Sequence, residues 1–192
     1  MKHMPRHCFI ISLCFLLGIY SASAAESSGP RSPAGTLATH TLHVEAGWNL
    51  MSLPLTVTDG TKSTLFPVTA SNAFIYQTGY EQADTLENGE GFWLKFDSAA
   101  TLSITGDPVY AETIAVHRGW NMIGALTVPV AVSTIETNPL GILSSEFFSY
   151  SPASGYQTAV TLQPGLGYWV RVNQSGSLLL ANHPPNIPSG PN

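Results

Sequence analysis

The sequence is short of two things, cysteine and positive charge. The only two cysteines are Cys8 and Cys14, and seven lysines and arginines stand against twelve aspartates and glutamates, a formal net charge of −5 at pH 7. Nucleic-acid binding needs cationic side chains that neutralise phosphates, so this balance argues against a nucleic-acid partner. Without disulfides beyond residue 14, the fold must depend on its core or on a metal.

The first 25 residues have the pattern of a secretory signal peptide. Lys2 and Arg6 precede an apolar run at 8–20, and small residues follow at 21–25. Because this run of about 13 residues is shorter than the ~20 that span a bilayer, we predict cleavage near Ala25 and no stable membrane insertion afterwards. The mature chain would carry no cysteine and a net charge near −7. We expect a secreted, extracellular or cell-surface protein, with the periplasm as the alternative compartment.

The residue patterns of common catalytic and metal sites are missing. The four histidines beyond the signal peptide, His40, His43, His117 and His183, show no metal-ligand spacing. There is no Gly-x-Ser-x-Gly motif and no phosphate-binding glycine loop. We therefore predict a protein that is not an enzyme and that needs neither a metal nor a cofactor.

One cluster of carboxylates leaves an alternative open. It comprises Glu81, Asp84, Glu87 and Glu90. The residues 76 positions later are uncharged, and the cluster lacks the alternating Asp/Asn ligands of a calcium hand. Glycoside hydrolysis needs two converging acids, but nothing in the spacing selects a pair. We interpret the cluster as a solvated loop and keep a small glycan-active hydrolase as the alternative.

The sequence contains one motif that occurs twice. Residues 47–51 read Gly-Trp-Asn-Leu-Met, and residues 119–123 read Gly-Trp-Asn-Met-Ile. The first tryptophans of the two segments lie 72 residues apart, and the closing ones, Trp93 and Trp169, lie 76 apart. A period this long predicts two copies of one supersecondary unit. We assign them to residues 41–110 and 111–183.

Short alternating segments separated by turns predict an all-β fold, a pseudo-symmetric β-sandwich or small barrel. The three-residue connections ending at Gly47 and Gly119 predict hairpins in which glycine adopts a positive φ. Single helical turns are predicted at 63–68 and 133–136. Residues 26–40 are predicted to be a flexible lead-in, and residues 184–192 a proline-rich tail.

The aromatic residues divide into a predicted core and predicted ligand contacts. Trp48 and Trp120 alternate in phase with apolar strand positions, so we place them in the core, with an exposed sugar-stacking platform as the alternative. Trp93 and Trp169 each follow another aromatic residue, so one member of each pair should face away from the core. The first candidates for ligand contact, Tyr80 and Tyr156, follow turn glycines.

Two further motif residues, Asn49 and Asn121, directly follow the first tryptophans. Because both copies carry this asparagine, we expect it to serve the shared fold by hydrogen-bonding nearby backbone. The same argument covers Gly47 and Gly119.

With its Gly-Trp-Asn openings and Gly-Phe/Tyr-Trp closings, the chain resembles tandem β-repeats of bacterial secreted and cell-surface proteins. The resemblance covers residues 41–181 and implies an extracellular β module without catalysis. We therefore expect a binding, adhesion or structural role, with a glycan or another surface protein as partner. A spacer without a ligand is the remaining alternative.

Overall fold

The computed structural model describes residues 36–182. The predicted signal peptide, His183, the proline-rich tail and most of the predicted lead-in lie outside these residues. Within them β-strand is almost the only regular secondary structure, so the predicted all-β fold is confirmed. No helix in this part of the chain is both long and apolar enough to span a membrane.

The strands fall into an N-terminal half, residues 38–108, and a C-terminal half, residues 111–181. The N-terminal half contains strands β1 (Ala38–Val44), β2 (Gly47–Ser52), β3 (Leu55–Thr56), β4 (Ala73–Tyr76), β5 (Tyr80–Ala83), β6 (Gly91–Phe96) and β7 (Ala100–Pro108), and helix α1 (Lys62–Leu65). The C-terminal half contains β8 (Ala111–Val116), β9 (Gly119–Ile123), β10 (Val130–Ala131), β11 (Glu136–Asn138), β12 (Phe147–Ser151), β13 (Gly155–Ala159), β14 (Thr161–Leu162), β15 (Tyr168–Val172) and β16 (Gly176–Ala181), and a 3₁₀ helix (Val132–Thr134). Strand β1 begins at Ala38, so the lead-in predicted to reach His40 is too long.

Each half builds a four-stranded antiparallel sheet in the same order. In the N-terminal half the order is β2-β6-β4-β5, and in the C-terminal half it is β9-β15-β12-β13. Strand β1 pairs with β7, and β8 pairs with β16, in separate sheets. These six strands of each half therefore have equivalent partners, whereas the short strands β3, β10 and β11 pair differently in the two halves.

The predicted hairpins at Gly47 and Gly119 are wrong, because these glycines form corners between two sheets. Strand β1 pairs with β7 while β2 pairs with β6, so two paired strands bend together from one sheet into the next. Gly47 has φ of 103° and Gly119 of 108°, a region that strains any residue with a Cβ.

Asparagine side chains close these corners. Asn49 Nδ2 donates to the carbonyl oxygen of Glu45 at 2.8 Å, and Asn49 Oδ1 accepts from the Glu45 N–H at 3.0 Å. Asn121 makes the same pair of bonds with His117, both at 2.8 Å. The amide thus occupies the place of a strand partner where the backbone turns away, because buried backbone groups require a partner.

The apolar side chains form three clusters. One core lies inside the N-terminal half and includes Phe92, and a second lies inside the C-terminal half and includes Tyr168. The third lies between the halves, where Trp93 and Trp169 pack with two aliphatic side chains. Strands β6 and β15 are therefore buried on both faces, which removes the expected conflict between adjacent aromatic residues.

The two tryptophans placed in the core by their alternation are in fact exposed. Trp48 is 39% exposed and Trp120 is 43% exposed. In the sequence, the apolar alternation of strands β1 and β8 continues into β2 and β9. The chain bends at the glycine corner between the two strands of each pair, however. The phase of β1 therefore does not carry over to β2, and the tryptophan points outward.

The halves meet through close backbone contacts at two equivalent joints. The Gly167 N–H donates to the Leu50 carbonyl at 3.1 Å, and the Gly124 N–H donates to the Gly89 carbonyl at 2.9 Å. A Cβ on Gly91 would lie 2.7 Å from the Ile123 carbonyl oxygen. The glycines of the Gly-Phe-Trp and Gly-Tyr-Trp motifs are thus needed, because a side chain at these positions would prevent the two halves from approaching this closely.

Candidate functional site: an aromatic surface

Ten aromatic side chains form one aromatic surface across both halves, as two groups of five contacting rings that meet at Tyr80 and Tyr156, each of which also lines the pocket of the other group. Each half supplies two tryptophans, two tyrosines and one phenylalanine at equivalent positions. All four tryptophans of the chain belong to it. Its members are Trp48, Phe74, Tyr76, Tyr80, Trp93, Trp120, Phe148, Tyr150, Tyr156 and Trp169.

The sheet of each half places these rings on one face. In the N-terminal sheet, Phe74 lies opposite Trp93, and Tyr76 lies opposite Tyr80. Directly opposed residues of antiparallel strands share a face, so the rings are brought together by register alone. Trp48 lies opposite Lys95 in the same sheet. The other faces of these strands fill the core, so this aromatic face is left for the partner half and for solvent.

The rings cross from one half to the other. Tyr76 of the N-terminal half packs on Trp169 with ring centroids 4.9 Å apart, and Tyr150 of the C-terminal half packs on Trp93 at the same distance. Both pairs are edge-to-face, at interplanar angles of 71° and 73°. Such pairs contribute beyond their burial, about 0.5–1.5 kcal/mol each. The surface therefore depends on the two halves staying together.

Two pockets open on this surface. The first, about 420 Å³, is lined by Trp120, Phe148 and Trp169 of the C-terminal half together with Tyr76 and Tyr156. The second pocket, about 460 Å³, lies at the equivalent place around Trp48, and its lining residues are Trp48, Phe74, Tyr80, Trp93, Tyr150 and Tyr156. Tyr156 lines both, so the pockets adjoin. None of the lining residues carries a carboxylate or an amide side chain.

Both buried tryptophans hold a polar atom without a well-aligned partner. Trp93 is 7% exposed and Trp169 is 8% exposed, and the Nε1 atom of neither makes a well-aligned hydrogen bond within the described residues, although the phenol oxygen of Tyr156 lies close to Trp169 Nε1. A buried donor left unpaired costs about 1–3 kcal/mol. These two buried indole N–H groups lie at equivalent positions in the two halves, one beside each pocket.

The two tyrosines predicted to contact a ligand are exposed members of this surface. Tyr80 is 59% exposed and Tyr156 is 55% exposed. The pKa of Tyr156 lies above its ordinary value because its ring is partly desolvated and because the phenols of Tyr80 and Tyr150 are near, although the nearby indole N–H of Trp169 opposes the rise through a poorly aligned hydrogen bond to the phenol oxygen. The phenols of the two halves therefore lie close to one another, and Tyr156 stays protonated and able to donate.

Sequence reasoning missed the residues that connect the tyrosines to the tryptophans. These are Phe74, Tyr76, Phe148 and Tyr150, on strands β4 and β12. A signal was present, because apolar residues adjoin one another at 92–94 and 168–170. Such runs indicate strands that are buried on both faces. Recognising them would have predicted a second packed face for each sheet.

Two of the four clustered acidic residues line a groove outside the two aromatic pockets. Glu87, Glu90 and Glu112 line a cavity of about 330 Å³ between the halves, together with His117. The pKa of Glu90 is raised by burial, and the nearby Glu87 carboxylate adds to the rise. Glu81 lies on strand β5 and is exposed. Within residues 36–182, no three His, Cys, Asp or Glu side chains are grouped so as to hold a metal ion.

Comparison with protein-family models, curated proteins and solved structures finds no match to this chain.

Proposed function

We propose that the protein is a secreted or cell-surface binding module, without catalysis, that holds its ligand on the aromatic surface. The observation that supports this proposal is the exposure of Trp48, Trp120, Tyr80 and Tyr156 on one contiguous face. Large exposed apolar patches on a folded protein mark interaction sites, because leaving them in water is unfavourable. The stacking platform, considered above as an alternative for the tryptophans, is thus the basis of the proposal.

The pockets add shape to this surface. Trp120 and Trp169 stand nearly perpendicular, with centroids 6.3 Å apart and an interplanar angle of 88°, and Trp48 and Trp93 stand at 90° with centroids 6.5 Å apart. Perpendicular rings form the floor and wall of a cleft, which holds a flat or ring-shaped group by contact on two sides. A glycan and a segment of another surface protein both present such groups.

The test is a binding screen with the chain from Glu26 onward. Arrays of glycans, cell-wall fragments and extracellular protein segments would be probed with the wild type, with the Tyr80→Ala/Tyr156→Ala variant, and with the Trp48→Ala/Trp120→Ala variant. We expect at least one ligand whose binding both variants weaken. A matched control is Leu140→Ala, which removes an exposed apolar side chain away from the surface.

Two results would reject the proposal. A blank screen favours the spacer without a ligand. A ligand that binds both double variants as well as the wild type would place the binding site elsewhere on the chain.

A second candidate function is that of a small glycan-active hydrolase, and one observation supports it. Glu87 and Glu90 line the same groove, and the raised pKa of Glu90 suits a general acid. The measurement is polysaccharide hydrolysis by the wild type and by Glu87→Gln/Glu90→Gln. Absence of hydrolysis by the wild type, or equal hydrolysis by both proteins, would eliminate this candidate.

A further inference from the structure

The polar groups on the aromatic surface are chemically one-sided. Indole N–H groups only donate hydrogen bonds, and phenols are the sole side chains of the pocket linings that also accept. The residues opposite Trp48 and Trp120 across the strands are Lys95 and Arg171, which again only donate. The surface thus offers apolar rings together with many donors and few acceptors.

The excess of hydrogen-bond donors over acceptors distinguishes between a glycan and a protein segment as the partner. A sugar presents hydroxyl groups that both donate and accept, so its recognition calls for carboxylate or amide acceptors, which neither pocket lining contains. A proline-rich segment presents the complementary pattern, because proline has no N–H and its carbonyl groups accept only. In the polyproline II conformation those carbonyls have no internal partner, and the apolar rings project outward.

The geometry of the clefts suits the same ligand. Proline-rich segments dock into grooves lined by aromatic side chains, where the preformed helix loses little entropy on binding. The wall and floor formed by Trp120 and Trp169 provide such a groove, and Trp48 and Trp93 provide a second. Because the two pockets adjoin at Tyr156, one extended segment can follow both.

The buried indole nitrogens give a second indication. Trp93 Nε1 makes no hydrogen bond within the described residues, and Trp169 Nε1 has the phenol oxygen of Tyr156 nearby without a well-aligned bond. Since Tyr156 is exposed and lines both pockets, a ligand carbonyl that takes the place of its phenol oxygen would pair with Trp169 Nε1. The gain on binding would then include relief of the desolvation cost of that N–H group.

We propose that the aromatic surface binds a proline-rich segment of a partner protein in the polyproline II conformation, with the tryptophan indoles donating to its carbonyl groups. This inference rests on the proposed function and names its ligand class. The partner is another protein, and the proline rings occupy the two tryptophan clefts.

The test uses a proline decamer as the probe and tryptophan fluorescence as the readout. Because all four tryptophans belong to the surface, their emission reports on this site alone. We expect a saturable change with the proline decamer, and none with a glycine–serine decamer or with hexasaccharides of glucose and N-acetylglucosamine. Absence of a saturable change with the proline decamer would overturn the inference.

Two variants test the contacts. Trp120→Ala removes one cleft wall that is partly exposed, and we expect a loss of affinity of about tenfold or more. Trp169→Phe keeps an aromatic ring and removes the N–H, and we expect a smaller loss, about threefold to tenfold. Leu140→Ala should bind as the wild type does. Undiminished binding by Trp120→Ala would contradict the proposed cleft.

The remaining arms separate this inference from the proposed function. Binding of a hexasaccharide but not of the proline decamer would overturn the ligand class and leave the binding module intact. No binding here together with a blank array would reject both.

A last variant distinguishes a partner from the chain itself. The chain carries prolines at Pro184, Pro185 and Pro188. If replacing these three residues by serine raised the affinity for the decamer tenfold, the chain's own tail would compete for the site, which would overturn the assignment to a partner. Unchanged affinity supports that assignment.

Discussion

The two halves of the molecule carry the same aromatic residues but join to each other differently. Ser52 and Gly124 occupy equivalent positions and face one another, and a Cβ on Gly124 would lie 3.0 Å from the Ser52 Cβ. Glu90 and Leu166 are also equivalent, yet only one is charged. Because positions 52 and 124 are this close, they cannot both carry large side chains. The aromatic surface carries identical residue types at equivalent positions in both halves.

The largest effect that we expect is the difference in stability between a variant of a buried tryptophan and a variant of an exposed one. Trp93→Ala should lower the free energy of unfolding by about 3–5 kcal/mol, because it opens a cavity between the halves. Trp48→Ala should cost only about 1 kcal/mol, because its ring is exposed and contacts two other rings. Urea denaturation of both variants gives the comparison. Equal losses would mean that the exposed and buried tryptophans are not distinguished as the structure shows.

The second effect concerns the glycines at the joints. A Cβ on Gly167 would lie 2.6 Å from the Met51 carbonyl oxygen, so Gly167→Ala should destabilise by about 2–3 kcal/mol through overpacking. Gly79→Ala is the matched control, because nothing lies within 4 Å of its added Cβ. Thermal unfolding measures both. If the two variants unfold at the same temperature, the halves do not approach as closely as described.

The third effect tests the difference between the joints. Ser52 Oγ donates to the Leu166 carbonyl at 2.8 Å and accepts from the Ala125 N–H at 3.1 Å. Ser52→Ala leaves both backbone groups unpaired and should cost about 1–2 kcal/mol. Gly124 holds no such bond, so the two joints should differ in amide hydrogen exchange. We expect faster exchange at Ala125 in the variant. Unchanged exchange there would contradict the bond.

The smallest effect is a gain in stability. Folding raises the pKa of Glu90 above its ordinary 4.5, so the folded state holds more protons than the unfolded state between these two values. Its contribution is therefore favourable at low pH and is lost as the pH rises through that interval, which leaves a cost at neutral pH. Glu90→Gln should slightly stabilise the protein at pH 7 and flatten the pH dependence. Glu81→Gln, on an exposed strand, serves as the control.

Much of the local structure followed from the sequence. The strand at 92–96 lies within one residue of β6, and the positive φ of Gly47 was expected from its turn position. The exposure of Tyr80 was also predicted. These features depend on residues within a few positions of each other, so local patterns suffice.

The pairing of the strands could not be obtained in this way. The chain alternates through Val44 and Trp48, but the corner at Gly47 sends the second strand into another sheet, and the alternation no longer tells which side is buried. The candidate site could not be predicted from local patterns either. Tyr76 and Trp169 are 93 positions apart in the sequence, and only packing of the two halves brings their rings to 4.9 Å.

The sequence by itself determined that the chain is built from β-strands, that Gly47 and Gly119 adopt a positive φ, and that aromatic residues recur at equivalent positions. The tertiary structure alone decided that Trp93 and Trp169 are buried between the halves while Trp48 and Trp120 face solvent. The physical reason is that alternation fixes which residues share a face of a strand. What covers that face depends on the partner strand and the partner half, which can lie far away in the sequence.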